Sequence, residues 1–90
     1  MRIKPNLKVR EVAGEHIVMR LGDGEKADLT TVISFNESAL LLVDRLRGRD
    51  FTADDVAAVL LEEYEVDSET ARRDAAQWID MMVKNSLIEQ

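Results

Sequence analysis

The stretch from Thr31 to Leu46, TVISFNESALLLVDRL, decides the fold, because the spacing of its apolar residues changes partway along it. Thr31-Val32-Ile33-Ser34-Phe35 is short, β-branched and aromatic, the composition of a strand. From Asn36 onward, Leu40, Val43 and Leu46 recur at helical spacing. Asn36 offers a side-chain acceptor to the unpaired first amides of a helix, and Glu37 puts a carboxylate near the positive end of its dipole. Gly48 supplies the stop. Strand therefore gives way to helix at residue 36.

Upstream, the pattern is that of strands. Leu7, Val9 and Glu11 alternate with Lys8, Arg10 and Val12, the period of a half-buried strand. Ala13-Gly14-Glu15 reads as a tight turn. Ile17, Met19 and Leu21 then alternate with His16, Val18 and Arg20, predicting a second strand whose apolar side is Ile17, Met19 and Leu21. Residues 22–28, with Gly22 and Gly24, read as a polar loop before the third strand, Thr31 to Phe35.

Downstream, three helices are expected over about residues 37–84. Thr52 caps the second, Asp55 completes a capping box, and Phe51 can pack on Val56 as a hydrophobic staple. Its apolar stripe is Val56, Val59, Leu60 and Tyr64. The third helix opens at Asp67 or Ser68 and runs to Lys84, with Ala71, Ala75, Trp78 and Met82 as its stripe and Ile79 and Val83 widening it. Glu69, Arg73, Asp80 and Lys84 fall on the opposite, solvated side. Leu87 and Ile88 form a last apolar pair. The order βββααα predicts an α+β domain spanning residues 1–90: three antiparallel strands packed on a three-helix, winged-helix-like bundle.

Ninety residues bury about two-thirds of their extended surface, which supports one core. There is no cysteine, so disulfides, thiolate metal sites and thiol nucleophiles are excluded, in keeping with a reducing, cytoplasmic location. No signal peptide and no long apolar run is present. The net charge of -6 is uneven: residues 36–90 carry six Lys/Arg against thirteen Asp/Glu. That balance speaks against nucleic acid and membranes as partners.

Catalytic chemistry finds little to work with. His16 is the only histidine, and Asp54-Asp55 and Glu62-Glu63 sit at helix ends, where capping and solvation explain them. Adjacent helical residues diverge by about 100°, so neither pair is an acid–base dyad. Gly22-Asp23-Gly24 lacks the lysine and helix of a phosphate loop. Arg45, Arg47 and Arg49 suit dipole compensation as well as phosphate binding. No catalytic residue, metal or cofactor is expected. Trp78 reads as the core anchor of the third helix, or as the border of a groove. A three-stranded sheet must also leave an edge with unpaired N–H and C=O groups. If Val32-Ile33-Ser34-Phe35 is that edge, an extended peptide can add to it as another strand; the same run can be read as an aggregation-prone edge.

Pro5 before the first strand, VISFNESALLLVDRL, FTADDVAAVLLEEYEVDSETA and RDAAQWIDMMVKNSLIE in this order resemble the coenzyme PQQ synthesis protein D (PqqD) family over nearly the whole chain. The resemblance implies a RiPP recognition element, a module of natural product biosynthesis for ribosomally made, modified peptides. By that resemblance a leader peptide adds to the third strand at Val32, Ile33, Ser34 and Phe35. It lies against the third helix at Arg73, Asp74, Gln77, Trp78 and Met81. The module then acts as a peptide chaperone, a monomer or weak homodimer that presents the peptide to a modifying enzyme, often a radical SAM protein. Where the family usually has a glycine before its last leucine, this chain has Ser86. The competing reading is a winged-helix DNA-binding transcriptional regulator, against which stand a charge-balanced third helix and no strand pair after it.

Overall fold

Asn36 turns the chain from strand to helix by a local device: its Oδ1 accepts the Ala39 amide at 2.8 Å and the Ser38 hydroxyl at 3.0 Å. The computed structural model describes the backbone of residues 1–21 and 27–89 and the side chains of residues 1–20 and 32–89. Its elements run β1 (Arg2–Ile3), β2 (Leu7–Val12), β3 (Glu15–Leu21), β4 (Ala27–Phe35), α1 (Glu37–Leu46), α2 (Ala53–Glu63), α3 (Ser68–Lys84) and β5 (Ile88–Glu89). The architecture is α+β: an antiparallel sheet of order β2-β3-β4 packed with three helices. The expected third strand is β4, which begins at Ala27 rather than Thr31. Its register against β3 shifts between Met19, opposite Val32, and Arg20, opposite Asp28. Of the loop expected over residues 22–28, residues 22–26 lie outside the described residues.

Two strands went unforeseen. Arg2 and Ile3 pair antiparallel with Glu89 and Ile88, and Lys4 donates its amide to the Leu87 carbonyl at 3.0 Å. Ile3, Leu87 and Ile88 are buried, so this ribbon closes the core from the chain ends. A two-residue strand has no period to read, and its partner is more than eighty residues away.

The buried face of β3 also differs from expectation. Val9, Val18 and Ile33 form one cross-strand row, and Glu11, His16 and Phe35 the next. Val18 and Phe35 are buried there, while Ile17 and Met19 turn to the other face and are half-buried. Ile17-Val18-Met19 is apolar without interruption, so its own pattern does not choose a face. Register chooses it. That register is set by a two-residue turn in which Ala13 (φ 53°) and Gly14 (φ 83°) both take the left-handed conformation required between strands of this twist.

The helices follow their local signals. Thr52 and Asp55 form the expected capping box, with bonds of 2.9 and 3.2 Å, and Asp67 Oδ1 accepts the Thr70 amide at 2.7 Å. Asp67 is held below the ordinary aspartate range, first by the Thr70 side chain and then by the Thr70 amide. Gly48 follows α1 at φ 83°. The α3 stripe Ala71, Ala75, Trp78 and Met82 is buried as expected, whereas Val83 is 39% exposed. Tyr64 is the C-cap of α2 and 38% exposed rather than part of its buried stripe. The three arginines diverge. Arg45 meets Glu62 at 2.9 Å and Glu63, Arg47 donates to the Leu7 carbonyl at 2.5 Å, and Arg49 lies 3.8 Å from Asp55.

Beyond Lys84, α3 ends in a Schellman arrangement: Ser86 donates to the Val83 carbonyl at 3.0 Å and Leu87 to Met82 at 2.9 Å. Ser86 sits at φ 58°, in the left-handed region where glycine is at ease. Ser86→Gly should relieve that strain and stabilise the fold by about 1 kcal/mol, roughly 4–8 °C in Tm for a domain of this size; an unchanged or lower Tm in a calorimetric scan would refute it. Trp78→Ala should cost about 3–5 kcal/mol in denaturant unfolding, because it empties a large buried volume. A cost below about 1 kcal/mol would show that the indole is not anchoring the core.

Candidate functional site

An open groove of about 530 Å³ lies where α1, α2 and α3 converge. The reason is in the helical spacing of α3. Ala71, Ala75, Trp78 and Met82 make the stripe that faces the core, and Asp74, Gln77, Trp78 and Met81 make a neighbouring stripe along one flank of it. Trp78 belongs to both. The second stripe lines the groove. Opposite it stand Asn36, Ser38, Ala39 and Leu42 at the start of α1. The end of α2 contributes Leu60 and Tyr64, and Val66 follows.

Trp78 reconciles the two readings of it. The residue is only 5% exposed; its ring packs on Phe51 with centroids 6.0 Å apart and tilted by 53°, and yet it forms part of the groove wall. Its Nε1–H donates to the Ala39 carbonyl at 3.3 Å, tying α3 to the first turn of α1. The indole is anchor and wall together.

The remaining expected residues are placed unevenly. Asp74, Gln77 and Met81 line the groove with Trp78. Arg73 does not: it stays on the solvated side of α3, with its Nε 3.8 Å from the Asp74 carboxylate. In β4, Phe35 is buried in the core, and Ile33 is half-buried on the same side. Val32 and Ser34 are exposed on the opposite face of the sheet. What these four residues have in common is backbone. Among the described residues β4 pairs only with β3, so alternate N–H and C=O groups from Val32 to Phe35 point away from the sheet. That edge runs directly into Asn36, the first residue of the groove.

The groove has apolar walls from Leu42, Leu60, Val66, Trp78 and Met81 interspersed with polar groups, and Asp74 is the charged residue in its described lining. Asn36 and Ser38 give it a polar end. Its α2 side is braced by Arg45, whose guanidinium is shifted further toward the charged form, chiefly by its hydrogen bond to Glu62 and then by Glu63. These side chains are exposed, so the bond positions the last turn of α2 more than it stabilises the fold. Among the described residues no cluster of His, Asp or Glu is arranged to hold a metal ion, and no helix is long and apolar enough to cross a membrane.

Sequence reasoning missed the walls supplied by α1 and α2. Asn36 was legible as a cap and Tyr64 as an apolar helix position, but nothing local marks either as lining a cavity whose other walls come from separate helices.

Solved structures share this architecture. TbiB1, solved in complex with the TbiA(beta) leader peptide, aligns at a TM-score of 0.72 over 99% of this chain and 95% of its own, with 17% identity, a likeness of fold. A lasso peptide synthetase B1, solved in complex with the leader peptide, aligns at 0.64 over 93% of this chain and 91% of its own, with 27% identity. No curated protein matches the chain. The sequence model described as coenzyme PQQ synthesis protein D (PqqD) matches residues 15–88, which take in β3, β4, all three helices and the start of β5. On that match, covering most of its length, this chain belongs to the PqqD family.

Proposed function

We infer that this protein is a non-catalytic, single-domain module that binds the leader segment of a precursor peptide and presents it to a modifying enzyme. The peptide adds as a strand to the free edge of β4 at Val32–Phe35 and continues into the groove lined by Asp74, Gln77, Trp78 and Met81. The observation that carries this reading is the conjunction of a strand edge left without a partner among the described residues and a groove at its end. Main-chain hydrogen bonds along β4 supply affinity without demanding a sequence, and the groove selects side chains. Membership of the PqqD family and the leader-peptide complexes of the two similar structures support it.

The other edge of the sheet is less suited. At β2 the Arg47 guanidinium already occupies the Leu7 carbonyl, and Lys8 and Arg10 lie along the strand. A role in duplex DNA recognition draws no comparable support: on α3, Glu69, Asp74 and Asp80 balance Arg72, Arg73 and Lys84, so the helix carries no excess of cationic charge for phosphates. The absence of cysteine suits work in the cytoplasm, where a radical SAM protein is the kind of enzyme that the peptide would be handed to.

Trp78 is the only tryptophan, so its fluorescence and its single indole resonance report on the groove without labelling. Titration with a synthetic leader peptide should shift both. It should also slow hydrogen exchange at alternate amides of Val32–Phe35. Protection confined to the helices, with none in β4, would exclude strand addition. Gln77→Trp, a change at an exposed position on the groove wall, should lower peptide affinity about tenfold or more by filling the space, with the melting curve nearly unchanged. Undiminished affinity in that variant would show that the peptide lies elsewhere.

A further inference from the structure

The face of the sheet turned away from the core is more apolar than a solvated face needs to be. Cross-strand partners share a face, so Lys8, Met19 and Val32 form one row across it and Arg10, Ile17 and Ser34 the next, with Val12 and Glu15 beyond. Val12 is 51% and Val32 46% exposed, and Ile17 and Met19 stand outside the core cluster. The charges are grouped: Lys8 and Arg10 lie on the β2 margin, with Glu15 alone opposing them among the described side chains. This basic, apolar face contrasts with the chain after Asn36, where acidic residues outnumber basic by thirteen to six.

Its size limits what it can hold. Three strands about 4.8 Å apart and six residues long cover roughly 300 Å², against the ~800 Å² per partner of a stable complex. Alone, this face suits a transient encounter. A fourth strand on β4 would widen it by about a third and, because strand side chains alternate, would project every second peptide side chain onto it.

We propose that this outer face is a second docking surface, for the protein that acts on the bound peptide: a partner presenting an apolar patch bordered by Asp or Glu, which meets Val12, Ile17, Met19 and Val32 flanked by Lys8 and Arg10. The peptide strand completes the surface, so peptide and partner bind with positive coupling. The coupling rests on the strand-addition reading above; the face itself does not. Charge complementarity selects the partner, since the basic margin attracts carboxylates and repels another cationic surface.

The test immobilises the full chain and measures association of a purified radical SAM enzyme that modifies the precursor, with and without the leader segment, while Trp78 fluorescence reports peptide binding separately. The leader should tighten enzyme association about fivefold or more. The double variant Lys8→Glu/Arg10→Glu, at exposed positions, should weaken it at least tenfold and leave the Trp78 response unchanged; Met19→Asp should do the same if its circular dichroism remains native. Enzyme association indifferent to all of these changes overturns the proposal. So does a shift in sedimentation showing that the variants abolish self-association instead, which would assign the face to a second copy of this chain. A wild-type protein whose Trp78 does not respond to the leader refutes strand addition, and the enzyme measurements then still judge the outer face on their own.

Discussion

The structure turns on a single indole. Trp78 sits where two stripes of α3 overlap, one facing the core and one facing the groove. Its ring packs against Phe51 beside α2, and its N–H reaches the Ala39 carbonyl in α1. One side chain thereby relates all three helices and forms part of the cavity that they leave. A wall built from a buried, hydrogen-bonded ring is rigid, and a rigid wall loses little entropy when a ligand meets it. Stability and the shape of the groove thus draw on the same contacts.

The second constraint concerns where the backbone is satisfied. Every strand edge must be paired, covered or left to water. Here the chain ends pair with one another as β1 and β5 instead of returning to the sheet. The β2 edge is partly met by Arg47 at Leu7. The edge of β4 from Val32 to Phe35 is left without a partner among the described residues, next to the groove. The contrast lies in where each cover comes from. Pairing of the ends depends on the Schellman turn at Ser86, which redirects the chain after α3 toward β1 instead of prolonging the helix.

The placement of the residues expected at the site limits what each can contribute. Phe35 is a core residue whose side chain holds β4 against the helices, so its offer to a ligand is its backbone. Arg73 stays on the solvated side, outside the groove lining, with its Nε 3.8 Å from Asp74. Asp74, Gln77 and Met81, by contrast, are brought together by a spacing of three and four residues that is plain in the sequence, once one knows that this flank of α3 faces a cavity.

Local chemistry determined much of this protein by itself. The caps at Asn36, Thr52 and Asp67, the stop at Gly48, the stripe from Ala71 to Met82 and the change of period at residue 36 all act over three or four residues, so neighbouring positions suffice to read them. The tertiary structure alone decided the rest. It chose Val18 over Ile17 and Met19 for the core, paired β1 with β5, exposed Tyr64 and Val83, and set Asn36 and Tyr64 opposite Trp78. Each of these depends on which distant segment lies alongside. An apolar run such as Ile17-Val18-Met19 fits either face, and a two-residue strand fits any partner, until packing elsewhere in the chain removes the alternatives.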